Sequence, residues 1–404
     1  MKKFIAVILS LCLTVAFAPT LWAATVSMEY AADDLDIPLE KNTQAAAGVG
    51  ESLQINAKSA ILMEYNTGKV LYEHQPDLAL PPASITKIMT LILVMEAIEE
   101  GRITLETQVT ASEYAASMGG SQIWLEPGEV MTVDELLRAT VIASANDATV
   151  ALAETVAGSE EGFVALMNEK AEKLGLHGTK FINSYGLDAQ GHLTTAHDVA
   201  VMSAELIRHP LIREYSTVRM DALRGGESEL VNTNKLIRYY DGCFGLKTGT
   251  TSGAGSCLSA VAERQGLTLI AVVLGAPSSK DRFNSTAKLL DYGFANYSYT
   301  EVKADTSGLG PIPVKQGAVR QVYPVVKDTF KALLQKGQEG KITTELTVES
   351  LLTAPVKAGD TVGYVKVRLA DEELGVIPIV AENGSERVTF GLCLARLIKS
   401  LFSV

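Results

Sequence analysis

Cysteine is scarce in this 404-residue chain, with four in all, and bases are outnumbered, 35 lysines and arginines against 47 acids. Cys12 lies in the apolar start, behind Leu9-Ser10-Leu11, without the small residue that a lipidated cysteine needs just before it. Cys243, Cys257 and Cys393 remain, an odd number at spacings of 14 and 136, which implies neither a disulfide framework nor a metal knuckle. Buried free thiols are the expectation. The five histidines show no metal-ligand spacing on a predicted helix, so no metal or other cofactor is expected. A net charge of −12 lacks the basic footprint that nucleic acid demands, which excludes nucleic acid as a partner class.

What is present is ample apolar mass. The chain is 47% apolar and 20% charged, so disorder is excluded as its main state. Its length suggests two domains, or a large one and a small one. Residues 1–23 read as a secretory signal: Lys2 and Lys3, an apolar run from Phe4 to Phe17, then small residues at Ala23 and Ala24. Ala16-Phe17-Ala18 is a rival cleavage tripeptide, but Pro19 follows it. The apolar run is short for an uncleaved membrane anchor. Loss of the signal removes two lysines and no acid, taking the charge from −12 to −14. Residues 24–52 have the composition of an exposed leader.

From Ala57 the texture changes. Ser59 to Tyr65 and Lys69 to Tyr72 are β-rich runs around Asn66-Thr67-Gly68, a hairpin signal. Pro81-Pro82-Ala83-Ser84 leads into Ile85 to Glu99, apolar nearly all round and so a buried helix with Ser84 at its N-terminus. Further helices are predicted at Val133 to Ser144, opened by the capping box Thr132-Val133-Asp134-Glu135, at Asp147 to Val156, at Glu160 to Leu174 and at Ala196 to Ile207. Strands follow at Cys257 to Glu263 and Leu267 to Gly275, then a closing helix from Asp281 to about Asn296. Strands at both ends with helices between them predict an α/β or α+β domain over 53–300. Short alternating runs at Val319 to Val326, Ile342 to Val348, Thr361 to Leu369 and Val376 to Val380 predict a small all-β domain over 301–389. Residues 390–404 form an amphipathic helix, too short to span a bilayer, with Leu394, Leu397, Ile398, Leu401 and Phe402 on one face. That face fits a membrane interface or docking on the β-domain.

Three short motifs carry the chemistry: Ser84-Ile85-Thr86-Lys87, Ser144-Ala145-Asn146 and Lys247-Thr248-Gly249. Each is weak alone. Ser285-Thr286-Ala287-Lys288 repeats the first inside the closing helix with no partner motifs after it. By itself, Ser84 would be a helix cap and Lys87 a solvated residue of the first turn. Three residues apart on a helix, however, the two side chains share a face, and burial beside a second cation, Lys247, would drive the Lys87 amine toward neutrality. Ser84 is then a candidate nucleophile and Lys87 its general base. Ser144 is placed to pass a proton to a leaving amine, and Asn146 to hold Lys87 and a substrate amide.

In order and spacing the set resembles the penicillin-recognising serine enzymes, and more narrowly the D-alanyl-D-alanine carboxypeptidases among low-molecular-mass penicillin-binding proteins. Gly120-Ser121-Gln122, Gly186-Leu187-Asp188, Thr194-Thr195-Ala196, Asn232-Thr233-Asn234 and Gly245 to Thr250 extend the likeness over about residues 55–300. The resemblance implies a β-lactamase/transpeptidase-like fold, an antiparallel sheet flanked by helices with a helical subdomain. It implies a serine carboxypeptidase that removes the last D-alanine from peptidoglycan stem peptides through an acyl-serine, with β-lactams as covalent inhibitors. Lys247 and Thr248 would bind the terminal carboxylate, Gly249 would allow close approach, and Thr250 with Thr251 would add hydroxyl contacts. The oxyanion hole would be the amides of Ser84 and Thr250. Thr233 stands where some relatives carry an arginine, which shifts carboxylate recognition toward Lys247 and the threonines. The Glu-x-x-Leu-Asn segment of class A β-lactamases is missing, so the β-lactam acyl-enzyme is expected to be long-lived. A β-lactamase or a silent cell-wall-binding protein would be the alternatives. The chain is expected to act outside the cytoplasm, at the outer face of the membrane, in the wall or in the periplasm.

Overall fold

The computed structural model describes residues 53–304 and 308–402. The expected signal, 1–23, and leader, 24–52, lie outside the described residues.

A five-stranded antiparallel sheet organises the first part of the chain. Its strands are β1 (Ser59–Glu64), β2 (Val70–His74), β3 (Cys243–Thr251), β4 (Gly255–Arg264) and β5 (Leu267–Ala276), in the order β2-β1-β5-β4-β3. The hairpin β1–β2 turns at Gly68, whose φ of 68° is a conformation glycine adopts without a Cβ penalty. All ten residues of β5 are buried, as expected for a central strand covered on both faces.

Strand alternation splits the sheet's apolar side chains between two layers. Ile61, Met63, Ile270 and Val272 join a core made with the helices α1 (Lys87–Glu99), α2 (Val133–Ile142), α3 (Asn146–Ala157), α4 (Glu160–Lys173) and α5 (Ala196–Leu206). On the other face, α6 (Ser279–Asn296) lies so close that a Cβ at Gly293 would meet Leu269 and Leu62. Ten residues of α1 are buried, Lys87 among them, because sheet-covering helices surround it. The capping box at Thr132 and Glu135 forms as read, with both reciprocal bonds present.

Most boundaries shift by a residue or two from expectation, and two of the shifts matter for the site. The α-helix begins at Lys87, and Ser84 sits in a 3₁₀ turn, Ala83–Thr86, entered through Ala83 at φ 50°. Helix α2 ends at Ile142, leaving Ser144 in the left-handed region at φ 63°. The run Val319 to Val326 divides between Gln321–Val322 and Pro324–Val326, which join different sheets.

After α6 the chain pairs Tyr297–Val302 with Phe330–Gln335 and builds a four-stranded antiparallel sheet from Pro324–Val326, Glu372–Ala381, Thr361–Leu369 and Ile342–Val348. A smaller sheet adds a parallel pair, Ile312–Lys315 with Leu352–Thr353. Val314, Val322, Val365, Val367, Ile377 and Ile379 fill the core that these sheets share. The last helix, α7 (Phe390–Phe402), exposes Phe390, Leu394, Leu397, Ile398 and Leu401. Among the described residues no helix is long and apolar enough to cross a membrane. The three described cysteines are free, but Cys393 is exposed and Cys243 half-buried, so only Cys257 matches the expectation of buried thiols.

Candidate active site

The site forms where the 3₁₀ turn, the α2–α3 junction and strand β3 converge. Ser84 is half-buried and accessible, whereas Lys87 is fully buried and not the solvated first-turn residue that an isolated motif would suggest. The Lys87 Nζ lies 3.1 Å from Ser84 Oγ, 2.6 Å from Asn146 Oδ1 and 2.7 Å from the Tyr185 carbonyl. Asn146 opens α3, and its amide also donates to Gly119 O at 2.6 Å. Its backbone N–H donates to Ser121 O at 2.7 Å. The Gly120-Ser121-Gln122 segment is thereby held at the cleft. Asp147 next to it is buried and accepts from the amides of Ile123 and Leu125, bracing the same rim.

Ser144 is bonded to the second lysine of the cleft. Its hydroxyl accepts from Lys247 Nζ at 2.8 Å, and Lys247 also donates to Thr248 O at 3.1 Å. The left-handed turn at Ser144 is what aims this hydroxyl at β3. Such a conformation is costly for a residue with a Cβ and persists where surrounding bonds over-determine it.

A buried ammonium group is disfavoured, and more so beside a second cation. Burial pushes Lys87 well below the usual lysine range, the Lys247 charge lowers it further, and Asp147 opposes both. Lys247 is brought down to about 7 by burial and by Arg282.

Strand β3 presses onto the nucleophile turn. A Cβ at Gly249 would lie 2.9 Å from Ser84 N and 3.1 Å from Ile85 N, so only glycine permits this approach. Thr248 donates to Thr233 Oγ1 at 2.7 Å, and Asn234 holds the strand by donating to Gly245 O at 2.9 Å. Thr250 donates to Gly249 O and accepts from Arg282 at 2.8 Å. Thr251 faces Asp188, donating to its carboxylate at 2.7 Å. Ser285 stands apart, buried in α6 with its Oγ accepting from Asn56 N at 3.2 Å. That repeat of the motif fastens the start of the described chain to α6.

Besides the Tyr185 carbonyl, two contributors carried no sequence motif. Arg282, largely buried on α6, reaches the carbonyl of Gly249 at 3.2 Å as well as Thr250, placing a cation beneath the strand where Thr233 offers none. His192 lies behind the nucleophile turn. Its Nδ1 accepts from Ile182 N at 2.9 Å, which puts the proton on Nε2, 2.8 Å from Thr86 Oγ1, and Thr86 in turn donates to Ala83 O at 2.8 Å. Burial keeps this imidazole neutral, with its pKa lowered to about 4.

A serine hydroxyl, a buried amine depressed toward neutrality, and a strand that can bind an extended acyl chain form the apparatus of acyl transfer. On a sheet of this topology they define a penicillin-recognising serine hydrolase. Residues 41–278 match the D-alanyl-D-alanine carboxypeptidase family, and residues 297–387 match the penicillin-binding protein 5 C-terminal domain. The chain is 40% identical over 344 residues to D-alanyl-D-alanine carboxypeptidase DacF of Bacillus subtilis, covering 84% of this chain and 88% of that protein. Penicillin-binding protein 5 from Haemophilus influenzae superposes with a TM-score of 0.71 at 30% identity, over 83% of this chain and 99% of that one. Penicillin-binding protein D2 from Listeria monocytogenes, solved with ampicillin bound, gives 0.53 at 32% identity, over 60% of this chain and 100% of that one. The chain belongs to the D-alanyl-D-alanine carboxypeptidase family, and its reaction is that of a serine-type carboxypeptidase.

Proposed function

We propose that Ser84 attacks the carbonyl between the last two D-alanines of a peptidoglycan stem pentapeptide, with Lys87 as general base. The carrying observation is the set of three contacts around Lys87 Nζ. A neutral amine has two hydrogens and one lone pair. The two shorter contacts, Asn146 Oδ1 and Tyr185 O, are acceptors that take both hydrogens, and the lone pair is left facing the Ser84 hydroxyl. Ser84 Oγ bonds to the carbonyl carbon as its proton passes to Lys87. The amides of Ser84 and Thr250 receive the oxyanion, the first strengthened by its place at a helix start. Collapse breaks the C–N bond, and Ser144 delivers its proton to the departing D-alanine amine while taking one from the Lys247 ammonium that donates to it. Water then attacks the acyl carbon, its proton returning through Ser144 to Lys247 while Lys87 gives its proton back to Ser84 Oγ as the ester bond breaks.

Asn146 holds the substrate amide, while Lys247, Thr248 and Thr250 bind the terminal carboxylate, with Thr251 at the edge of the strand. Gly249 keeps the strand near the acyl group. Arg282 compensates for the missing arginine at Thr233. Penicillin, entering as an acyl donor, would form a persistent adduct on Ser84. Around this chemistry, residues 1–23 would be removed on export, 24–52 serve as a leader, 53–300 form the enzyme, and 301–389 the β-domain. The exposed apolar face of α7, in residues 390–404, would rest on the outer face of the cytoplasmic membrane.

Intact-mass and peptide mapping after penicillin treatment tests the site. One adduct on Ser84 is expected, absent from Ser84→Ala; an adduct elsewhere, or rapid multiple turnover of penicillin, refutes the assignment.

A further inference from the structure

The Tyr185 carbonyl that takes one hydrogen of Lys87 belongs to a short strap, residues 183–187, with no regular secondary structure of its own. A backbone carbonyl in such a segment is only as fixed as its neighbours. Here they are fixed from two sides. Ser184 O accepts from Thr90, one turn beyond Lys87 on α1, at 2.6 Å. On the other side stands Glu160, the first residue of α4 and largely buried: its Oε1 accepts from Ser184 N and its Oε2 from Ser184 Oγ, both at 2.8 Å. Asn183 closes the strap internally, accepting from Gly186 N at 2.6 Å and donating to Leu187 O at 2.9 Å. The strap also touches the nucleophile turn, since a Cβ at Gly186 would fall 2.0 Å from Ala83 O.

We propose that Glu160 is a positioning residue for acylation: through Ser184 it fixes the Tyr185 carbonyl, and so holds the Lys87 amine in the rotation that points its lone pair at Ser84. Both donors of Ser184 end on this one carboxylate, in a buried place where an unmade hydrogen bond is costly. Burial raises the Glu160 carboxyl above its ordinary pKa while the two Ser184 bonds pull it back, so the carboxylate and the strap hold each other in place. Removing the carboxylate leaves the Ser184 N–H and hydroxyl to find new partners. The next residue's carbonyl turns with them, and one Lys87 hydrogen is freed to compete for Ser84 Oγ.

The proposal rests on the assignment of Ser84 and Lys87, and its test separates the two. The full chain and the variants Glu160→Ala, Glu160→Gln and Ser184→Ala are mixed with fluorescent penicillin in a stopped-flow instrument. The acylation rate constant and the reversible dissociation constant are read separately, with melting temperatures and the adduct site by mass spectrometry alongside. For Glu160→Ala the rate constant falls about 100-fold, the scale of a misplaced reacting group, and reversible binding is unchanged. Glu160→Gln restores the rate, because its amide oxygen accepts the Ser184 N–H and its amide nitrogen donates to Ser184 Oγ. Ser184→Ala keeps the backbone bond and loses about tenfold, the lower end for a hydrogen bond to a charged group; it carries the test should Glu160→Ala fail to fold. Folded Glu160→Ala or Ser184→Ala acylating Ser84 at the parental rate overturns the positioning role alone, as does a glutamine variant as slow as alanine. An adduct on another residue overturns the assignment of the site itself.

Discussion

Adding a single methyl group at Gly249 is expected to disable acylation while leaving the fold standing. The new Cβ would meet Ser84 N at 2.9 Å, Ala83 Cβ at 3.0 Å and Ile85 N at 3.1 Å. Two of these are backbone atoms of the nucleophile turn, which no rotamer change can move aside. Ordinary contact requires strand and turn to separate by about half an ångström, at a cost of about 1–3 kcal/mol in stability, as for other overpacked positions. The proposed oxyanion donors, the amides of Ser84 and Thr250, lie on the two bodies that separate, so they no longer converge on one oxygen. Loss of one such donor costs about 10²–10³ in rate. Pre-steady-state labelling of Gly249→Ala by fluorescent penicillin should show an acylation constant lower by that factor. Circular dichroism should report a native spectrum. A folded variant that acylates as fast as the parent would mean that the oxyanion is not held between these two amides.

The depressed Lys247 gives stability a pH dependence of known sign. Between its folded pKa of about 7 and its ordinary value of 10.5 the unfolded chain carries a proton that the folded one does not. Folding stability therefore rises with pH through that window, by about 1.4 kcal/mol per unit for this group. Urea unfolding of the parent and of Lys247→Met at pH 7.5 and 9.5 should differ in slope, and equal slopes refute the depressed pKa. Arg282→Gln removes a donor to Gly249 and Thr250 and also a cause of that depression. Acylation efficiency should fall about 10- to 100-fold, the worth of a charged hydrogen bond, and the basic limb of its pH profile should move upward; an unmoved limb would count against the Arg282–Lys247 coupling. Ser285→Ala, far from the cleft, should label normally, and loss of labelling would challenge the choice between the two repeats. Ending the chain at Thr389 should release the protein from membrane fractions without changing its acylation rate; retention would point to another means of attachment.

The residues that announced themselves in the sequence did so through short-range order. Ser84 with Lys87, Ser144 with Asn146, and Lys247 through Thr250 keep their spacing because each set rides on one turn or one strand. Helix α1 was legible because it is apolar all round, and the start of α2 because a capping box is a local device. Arg282 was not legible: it reaches Gly249 from a helix 33 residues further on, and tertiary packing leaves no spacing rule. Tyr185 contributes a carbonyl, which every residue possesses. The 3₁₀ turn at Ser84 escaped because the strain at Ala83 comes from what surrounds it, including His192 and Gly186, and not from its neighbours in the chain. The strand pairs Gln108–Thr110 with Val130–Thr132 and Met220–Leu223 with Ser228–Val231 are too short for a period of two to stand out.

Lys87 meets Asn146 across 59 positions of chain, and Lys247 meets Ser144 across 103. Before those distant pieces close together, the polypeptide holds one ordinary serine and two ordinary ammonium groups, inert toward a strained amide. Covalent tagging by a β-lactam thus works as a census of native molecules: the tagged fraction of a preparation counts chains that finished folding, and its decay during heating or denaturant challenge follows unfolding with no spectroscopic signal needed.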